Sequence, residues 1–192
     1  TDAVRLSVKS GGQTIASMII RANRHASIAI PNAHLWSPED PFLYDLVAEL
    51  VTVKDPYAGK PERNRVAYDS RFTTGEVDAY AKAQVEGAPR DTVKAYFAMR
   101  KISVGPGHVT GQPMLLLNNK PYFQNGTLDQ GWWPDGLYTP PTEEAMVYDL
   151  KVLKDLGMNM LRKHIKVEPS RLYHYCDQIG LLVWQDMPSV IN

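Results

Sequence analysis

The chain has one cysteine, no excess of either charge and no long apolar run, and each shortage removes a class of protein. With Cys176 alone, no internal disulfide and no Cys-rich zinc site can form. Twenty-one basic and 21 acidic residues cancel, which argues against a nucleic-acid binder working through a broad basic field. No stretch approaches the roughly 18 apolar residues of a spanning helix, and no long charged or low-complexity tract suggests disorder or a membrane role. There is no Gly-x-Ser-x-Gly elbow and no His-Glu-x-x-His. No signal-peptide pattern precedes the first strand-like residues, and an opening Thr1 suggests a trimmed or excised piece.

What is present is a chain of 192 residues, 44% hydrophobic, long enough for one large domain or two modest ones. Its character changes near residue 110. Up to about residue 105 the pattern has period two: "AVRLSVKS", "TIASMIIRA", "ASIAIP" and "YDLVAELVTVK" are separated by Gly, Pro and Asn turn signals. Such spacing predicts a β-sandwich over residues 1–110. The stretch from Asp55 to Arg90 is poor in apolar residues and reads as a long excursion, after which "DTVKAYFAMRKISV" returns to strand.

From Met114 the period lengthens. "MLLLNNKPYFQNG" predicts a hairpin turning at Asn118-Asn119 and feeding a buried strand from Tyr122 to Asn125. Thr142 can cap a helix with Glu143 and Glu144 in its first turn and Gly157 just past its end. Met158 to Leu161 predicts a strand, Pro169 to Ile179 a helix closed by Gly180, and "LLVWQ" a further strand. Strands and helices in alternation define parallel β/α units over residues 111–192. In such sheets ligands bind beyond the carboxyl ends of the strands. Three polar clusters fall there: Asn125 through Gln130, including Asp129; Arg162, Lys163 and His164; and Gln185 with Asp186.

Arg162 suits a carboxylate or a set of sugar hydroxyls, or equally a structural ion pair. His164 could bond a ligand or serve as a satisfied strand-end histidine. Asp186 follows a strand expected to be buried and needs partners that two ligand hydroxyls would supply. Trp132, Trp133 and Tyr138 could stack on a sugar face or pin a long loop. Trp184 reads as core, and Trp36 and Tyr44 as sandwich packing. "HYCDQ" places His174, Cys176 and Asp177 on different helical faces, which speaks against a metal site. "VGPGHVTG" precedes a hairpin rather than a helix and so lacks a phosphate-binding terminus. "NGT" at Asn125 fits a glycosylation sequon at a place predicted to be buried.

"LWSPEDPFLYDL", "DTVKAYFAMRKISV", "LLLNNKPYFQNG", "LKDLGMNMLRKH" and "YCDQIGLLVWQDMP", in that order, resemble family 2 of the glycoside hydrolases, which includes β-galactosidases, β-glucuronidases and β-mannosidases. The resemblance implies an immunoglobulin-like sandwich leading into the first units of a (β/α)8 barrel. It also implies a retaining exo-acting β-glycosidase needing no cofactor, with a galactoside as first substrate and a mannoside as second. Galactosidase-like members carry a histidine three positions after the arginine, whereas His164 follows Arg162 by two. "WQDM" is similar to the "WQDF" of β-mannosidases and implies that Asp186 contacts the sugar. The two catalytic carboxylates, about 5 Å apart in retaining enzymes, are expected after the fourth and seventh barrel strands, outside this chain. The chain is therefore expected to be an inactive piece with no catalytic residue of its own, and with Asp186, Arg162, His164, Trp132 and Asp129 lining the sugar subsite. Uncovered strand edges suggest self-association into a homo-oligomer. Compartment stays open, with periplasmic or extracellular placed ahead of cytoplasmic. The alternative is a non-catalytic carbohydrate-binding or spacer module.

Overall fold

The structure is a computed structural model and describes residues 1–23, 25–55, 58, 80, 83–107 and 111–189. Most of the excursion between Asp55 and Arg90 lies outside them, as do three residues of "VGPGHVTG". The chain divides into two compact units: Thr1–Ala33 with Tyr44–Phe97, and His34–Leu43 with Ala98–Asn192.

In the first unit, β1 (Asp2–Ser10), β2 (Gln13–Arg21), β3 (Tyr44–Val53) and β4 (Val85–Phe97) form one antiparallel sheet in the order β2-β1-β3-β4. Gly11 and Gly12, both at positive φ, make the tight β1–β2 turn. Arg5 and Glu49 face each other across β1 and β3, 2.7 Å apart. Ala3, Val51, Val53 and Tyr80 form a buried cluster. A sandwich needs two sheets, and the first unit shows a single sheet among the described residues. "ASIAIP" forms no strand, although its composition favours one. Strand β4 starts at Val85, earlier than its Gly and Pro content suggested, because a register shift opposite Leu50 and Thr52 absorbs Gly87 at φ +74°.

In the second unit, β5 (Ile102–Pro106), β6 (Pro113–Leu117) and β7 (Lys120–Pro121) make a small antiparallel sheet. Its β6–β7 turn is the anticipated one, with Asn118 at φ 52° and Asn119 at φ 66°, as a two-residue turn with both φ positive requires. The other sheet is parallel, in the order β10-β9-β8, from β8 (Gly126–Asp129), β9 (Met160–Lys163) and β10 (Leu182–Gln185). Helix α1 (Glu143–Asp155) connects β8 to β9, and helix α2 (Ser170–Ile179) connects β9 to β10. Thr142 caps α1 by accepting from Ala145 N at 3.1 Å, and Gly180 closes α2 at φ 86°.

The first parallel strand lies at Gly126–Asp129, not at Tyr122–Asn125. Asn159 donates its backbone N–H to Asn125 O and accepts from Asn125 N through its side chain, which fastens Asn125 at the amino end of the sheet. A Cβ on Gly126 would lie 1.9 Å from Met160 O. This glycine therefore serves close strand approach rather than opening a loop. Asn125 is exposed, so the burial first offered against its glycosylation does not apply. One side of the parallel sheet is covered by the helices: Met146, Leu150, Leu161, Leu172, Cys176 and Leu181 form the main core. Each such leucine contributes roughly 2 kcal/mol by leaving water.

Trp36 belongs to this second unit, which corrects its assignment to the first. It is fully buried, donates Nε1–H to Asp177 O at 2.8 Å, and lies 4.5 Å beneath the Arg100 guanidinium. Arg100 in turn pairs with Asp177 at 2.9 Å. Lys154 donates to both Pro38 O and Gly180 O, fixing the same segment to the end of α2. Tyr44, by contrast, stacks on Phe97 within the first unit.

Candidate functional site

Alternation along short strands sorts the strand-end side chains onto two faces. Leu161 points into the helix-covered core, so Arg162, the next residue, points to the open face. Parallel pairing aligns Leu128 and Trp184 with Arg162, and all three are exposed. Trp184 thus stands beside Arg162 on the open face rather than in the core, and its indole N–H donates to Gln124 Oε1.

Above this layer, Asp186 follows β10. Arg162 reaches it with two nitrogens, Nη2 at 2.8 Å and Nε at 3.0 Å, both on Oδ2. The pair is solvent-accessible, with the arginine side chain 46% exposed and the aspartate 27%. An ion pair so exposed stabilises a fold by at most about 1 kcal/mol. Stability alone gives little reason for it. Both contacts fall on Oδ2, and no hydrogen bond to Asp186 Oδ1 occurs among the described residues. His164 lies next to the pair in sequence, its backbone N–H bonded to Asp129 O and its Nδ1 3.1 Å from Gln130 Nε2. Arg162 and Lys163 lie inside β9 rather than after it, and His164 follows it.

The helix-facing side of the same strand ends is charged and closed. Lys163 is fully buried and pairs with Asp129 at 2.7 Å and Glu168 at 2.6 Å. Lys166, also buried, pairs with Glu168 at 3.0 Å. Asp129 is engaged through both oxygens, Oδ2 by Lys163 and Oδ1 by Gly131 N at 2.7 Å. Tyr173 donates to Gln185 Oε1, and Gln185 Nε2 donates to Lys166 O. Sequence reading named Asp129 and Gln185 but missed Lys166 and Glu168, because "KVEP" looks like an ordinary exposed loop. The signal was there: apolar Ile165 and Val167 alternate with the charges, and it is they that are exposed.

Trp132, in the loop after β8, is 64% exposed and meets Tyr138 edge-to-face at 5.0 Å. Trp133 and Leu137 exchange backbone hydrogen bonds, folding this loop back on itself. Helix α2 turns Cys176 into the core, away from His174 and Asp177, which are one turn apart, and no group of three metal-ligating side chains occurs among the described residues. Burial pushes the Cys176 thiol up to about 12, assisted by the nearby Asp177 charge.

The comparisons with known proteins agree with this architecture. The family model for glycosyl hydrolases family 2 matches residues 2–58. The β-galactosidase of Oenococcus oeni is 28% identical over 158 residues, covering 82% of this chain and 12% of that protein. The mannosylglycoprotein endo-β-mannosidase of Lilium longiflorum is 34% identical over 94 residues, covering 47% of this chain and 9% of its own length. Among solved structures, the β-glucuronidase of Bifidobacterium dentium superposes over 97% of this chain and 25% of its own, with TM-score 0.71 at 20% identity. These matches make the chain similar to glycoside hydrolases of family 2, in line with the resemblance its motifs carry. The chain spans about an eighth of the length of the curated relatives it matches.

Proposed function

We propose that this chain supplies part of the sugar-binding site of a retaining exo-β-glycosidase, with a galactoside as first substrate and a mannoside as second. The observation that carries this reading is the Arg162–Asp186 pair on the open face. Arginine orients the carboxylate through Oδ2, and Asp186 Oδ1 is then left to accept from sugar hydroxyls. His164 and Trp132 complete the subsite from the neighbouring loop positions, one by hydrogen bonding and one by stacking. Asp129 acts on the protein side, holding the first turn of the Trp132 loop through Gly131 N. The parallel sheet with its two helices is, in this reading, the beginning of a (β/α)8 barrel, and the first unit is part of an immunoglobulin-like sandwich.

Hydrolysis with retention needs one carboxyl that keeps its proton and one that is a free nucleophile. The strand-end carboxylates here are each held by a cation: Asp129 and Glu168 by Lys163, and Asp186 by Arg162. They bind and position. The chain by itself therefore binds sugar without cleaving it. Calorimetric titration with methyl β-galactoside and methyl β-mannoside tests this. Asp186→Ala abolishes binding if the reading is right, and unchanged binding in that variant removes Asp186 from the site.

A further inference from the structure

The loop between β9 and α2 is inverted relative to ordinary surface chain. Lys166 and Glu168 are 2% and 8% exposed, while their apolar neighbours Ile165 and Val167 are 49% and 54% exposed. Burying charge this way is costly unless each charge is paired and each donor is used. Lys166 meets that condition. Its ammonium donates to Gly131 O and Tyr138 O, both at 2.8 Å, pairs with Glu168 Oε1 at 3.0 Å, and lies 4.4 Å from the centre of the Tyr138 ring. Gly131 and Tyr138 are the two ends of the loop that carries Trp132. At Gly131, φ is +69°, and a Cβ there would come within 2.6 Å of the Lys166 nitrogen and 2.5 Å of Glu168 Oε1. The backbone is thus drawn in to the ammonium as closely as glycine allows.

We infer that Lys166 is a positioning residue for the sugar site. By clamping Gly131 O and Tyr138 O it holds the 131–138 loop closed, and so fixes Trp132 at the carboxyl end of β8. The same clamp reaches the other two strand ends. Glu168 is shared with Lys163 on β9, and Lys166 O is bonded by Gln185 of β10. One buried ion network therefore sets the positions of the segments following all three parallel strands. The sugar-binding part of this inference rests on the function proposed above; the clamp itself does not.

The test uses the full chain and Lys166→Met, which removes the ammonium while leaving Glu168 paired with Lys163. Amide hydrogen exchange in residues 131–139 is expected to quicken by roughly tenfold or more, with α1 and α2 unchanged. Affinity for methyl β-galactoside should fall about fivefold, with Trp132→Ala giving a similar fall and no additional loss in the double variant. Exchange that is unchanged, or raised evenly through both helices, overturns the clamp. Should Lys166→Met fail to fold, Gly131→Ala attacks the same contact from the loop side, and the same exchange pattern decides. If the unsubstituted chain binds neither methyl glycoside, the function proposed above fails and Lys166 loses its sugar role, while the exchange result still decides whether the clamp exists.

Discussion

Arg162 on β9 and Asp186 beyond β10 meet through two guanidinium nitrogens on a single carboxylate oxygen, at 2.8 and 3.0 Å. The second oxygen, Oδ1, has no hydrogen bond among the described residues. Arg162→Lys keeps the charge but loses the fork. It is expected to weaken methyl glycoside binding by about tenfold, while thermal stability changes by less than about 1 kcal/mol. Titration calorimetry and a thermal melt on the same sample separate the two effects.

Gly126 has the least room of any glycine described in the chain, its missing Cβ lying 1.9 Å from Met160 O. Gly126→Ala should force β8 from β9 and cost about 3 kcal/mol or more, since backbone rather than a flexible side chain would have to move. A urea melt measures it, and a wild-type midpoint would show that the two strands can part without penalty.

Trp36 supplies a buried ring, an indole hydrogen bond to Asp177 O and a seat for Arg100. Trp36→Ala is expected to cost roughly 3–5 kcal/mol, whereas Trp36→Phe retains most of the packing and loses chiefly the hydrogen bond. Comparing their denaturant midpoints distinguishes a packing anchor from a polar one.

Cys176 is 1% exposed and its thiol is pushed up to about 12, by burial first and by Asp177 second. A buried thiol of that kind is almost wholly protonated at pH 8. Ellman's reagent should therefore leave the folded chain unmodified and titrate one thiol once urea unfolds it.

The Arg5 hydrogen bond holds the Glu49 carboxyl below its ordinary value, against a smaller opposing effect of burial. A depressed carboxyl contributes stability above its unfolded pKa and loses that contribution as pH falls through the folded value. Glu49→Gln should cost about 0.5 kcal/mol at pH 7 and nothing in acid, where both side chains are neutral. Urea melts across that range check the sign.

Much of this was legible in residue order. The Asn118-Asn119 turn, the Thr142 cap, Gly157, Gly180 and the alternation of strand and helix are local signals, and local backbone chemistry settles them. What escaped was set by distant partners. The first parallel strand reads as Tyr122 to Asn125 until Asn159 and Met160 are placed against Asn125 and Gly126. Trp36 has sandwich-like neighbours in sequence, yet its indole partner is 141 residues away. The charges of "KVEP" turn inward only because Gly131 and Tyr138 are folded over Lys166 and Lys163 reaches Glu168. For the candidate site, Arg162, His164 and Asp186 could be named from their strand-end positions. The split between an open Arg162–Asp186 face and a closed lysine network needed three-dimensional alternation on strands of four residues.

The open face around Arg162 and Asp186 is proposed to bind a sugar. The most direct measurement is a two-dimensional NMR titration of the labelled chain with methyl β-galactoside, following backbone amides and the Arg162 Nε–H. Saturable shifts concentrated at residues 130–132, 162–164 and 184–187 are expected, together with their loss in Asp186→Ala. Shifts that do not saturate, or that persist unchanged in that variant, would contradict it.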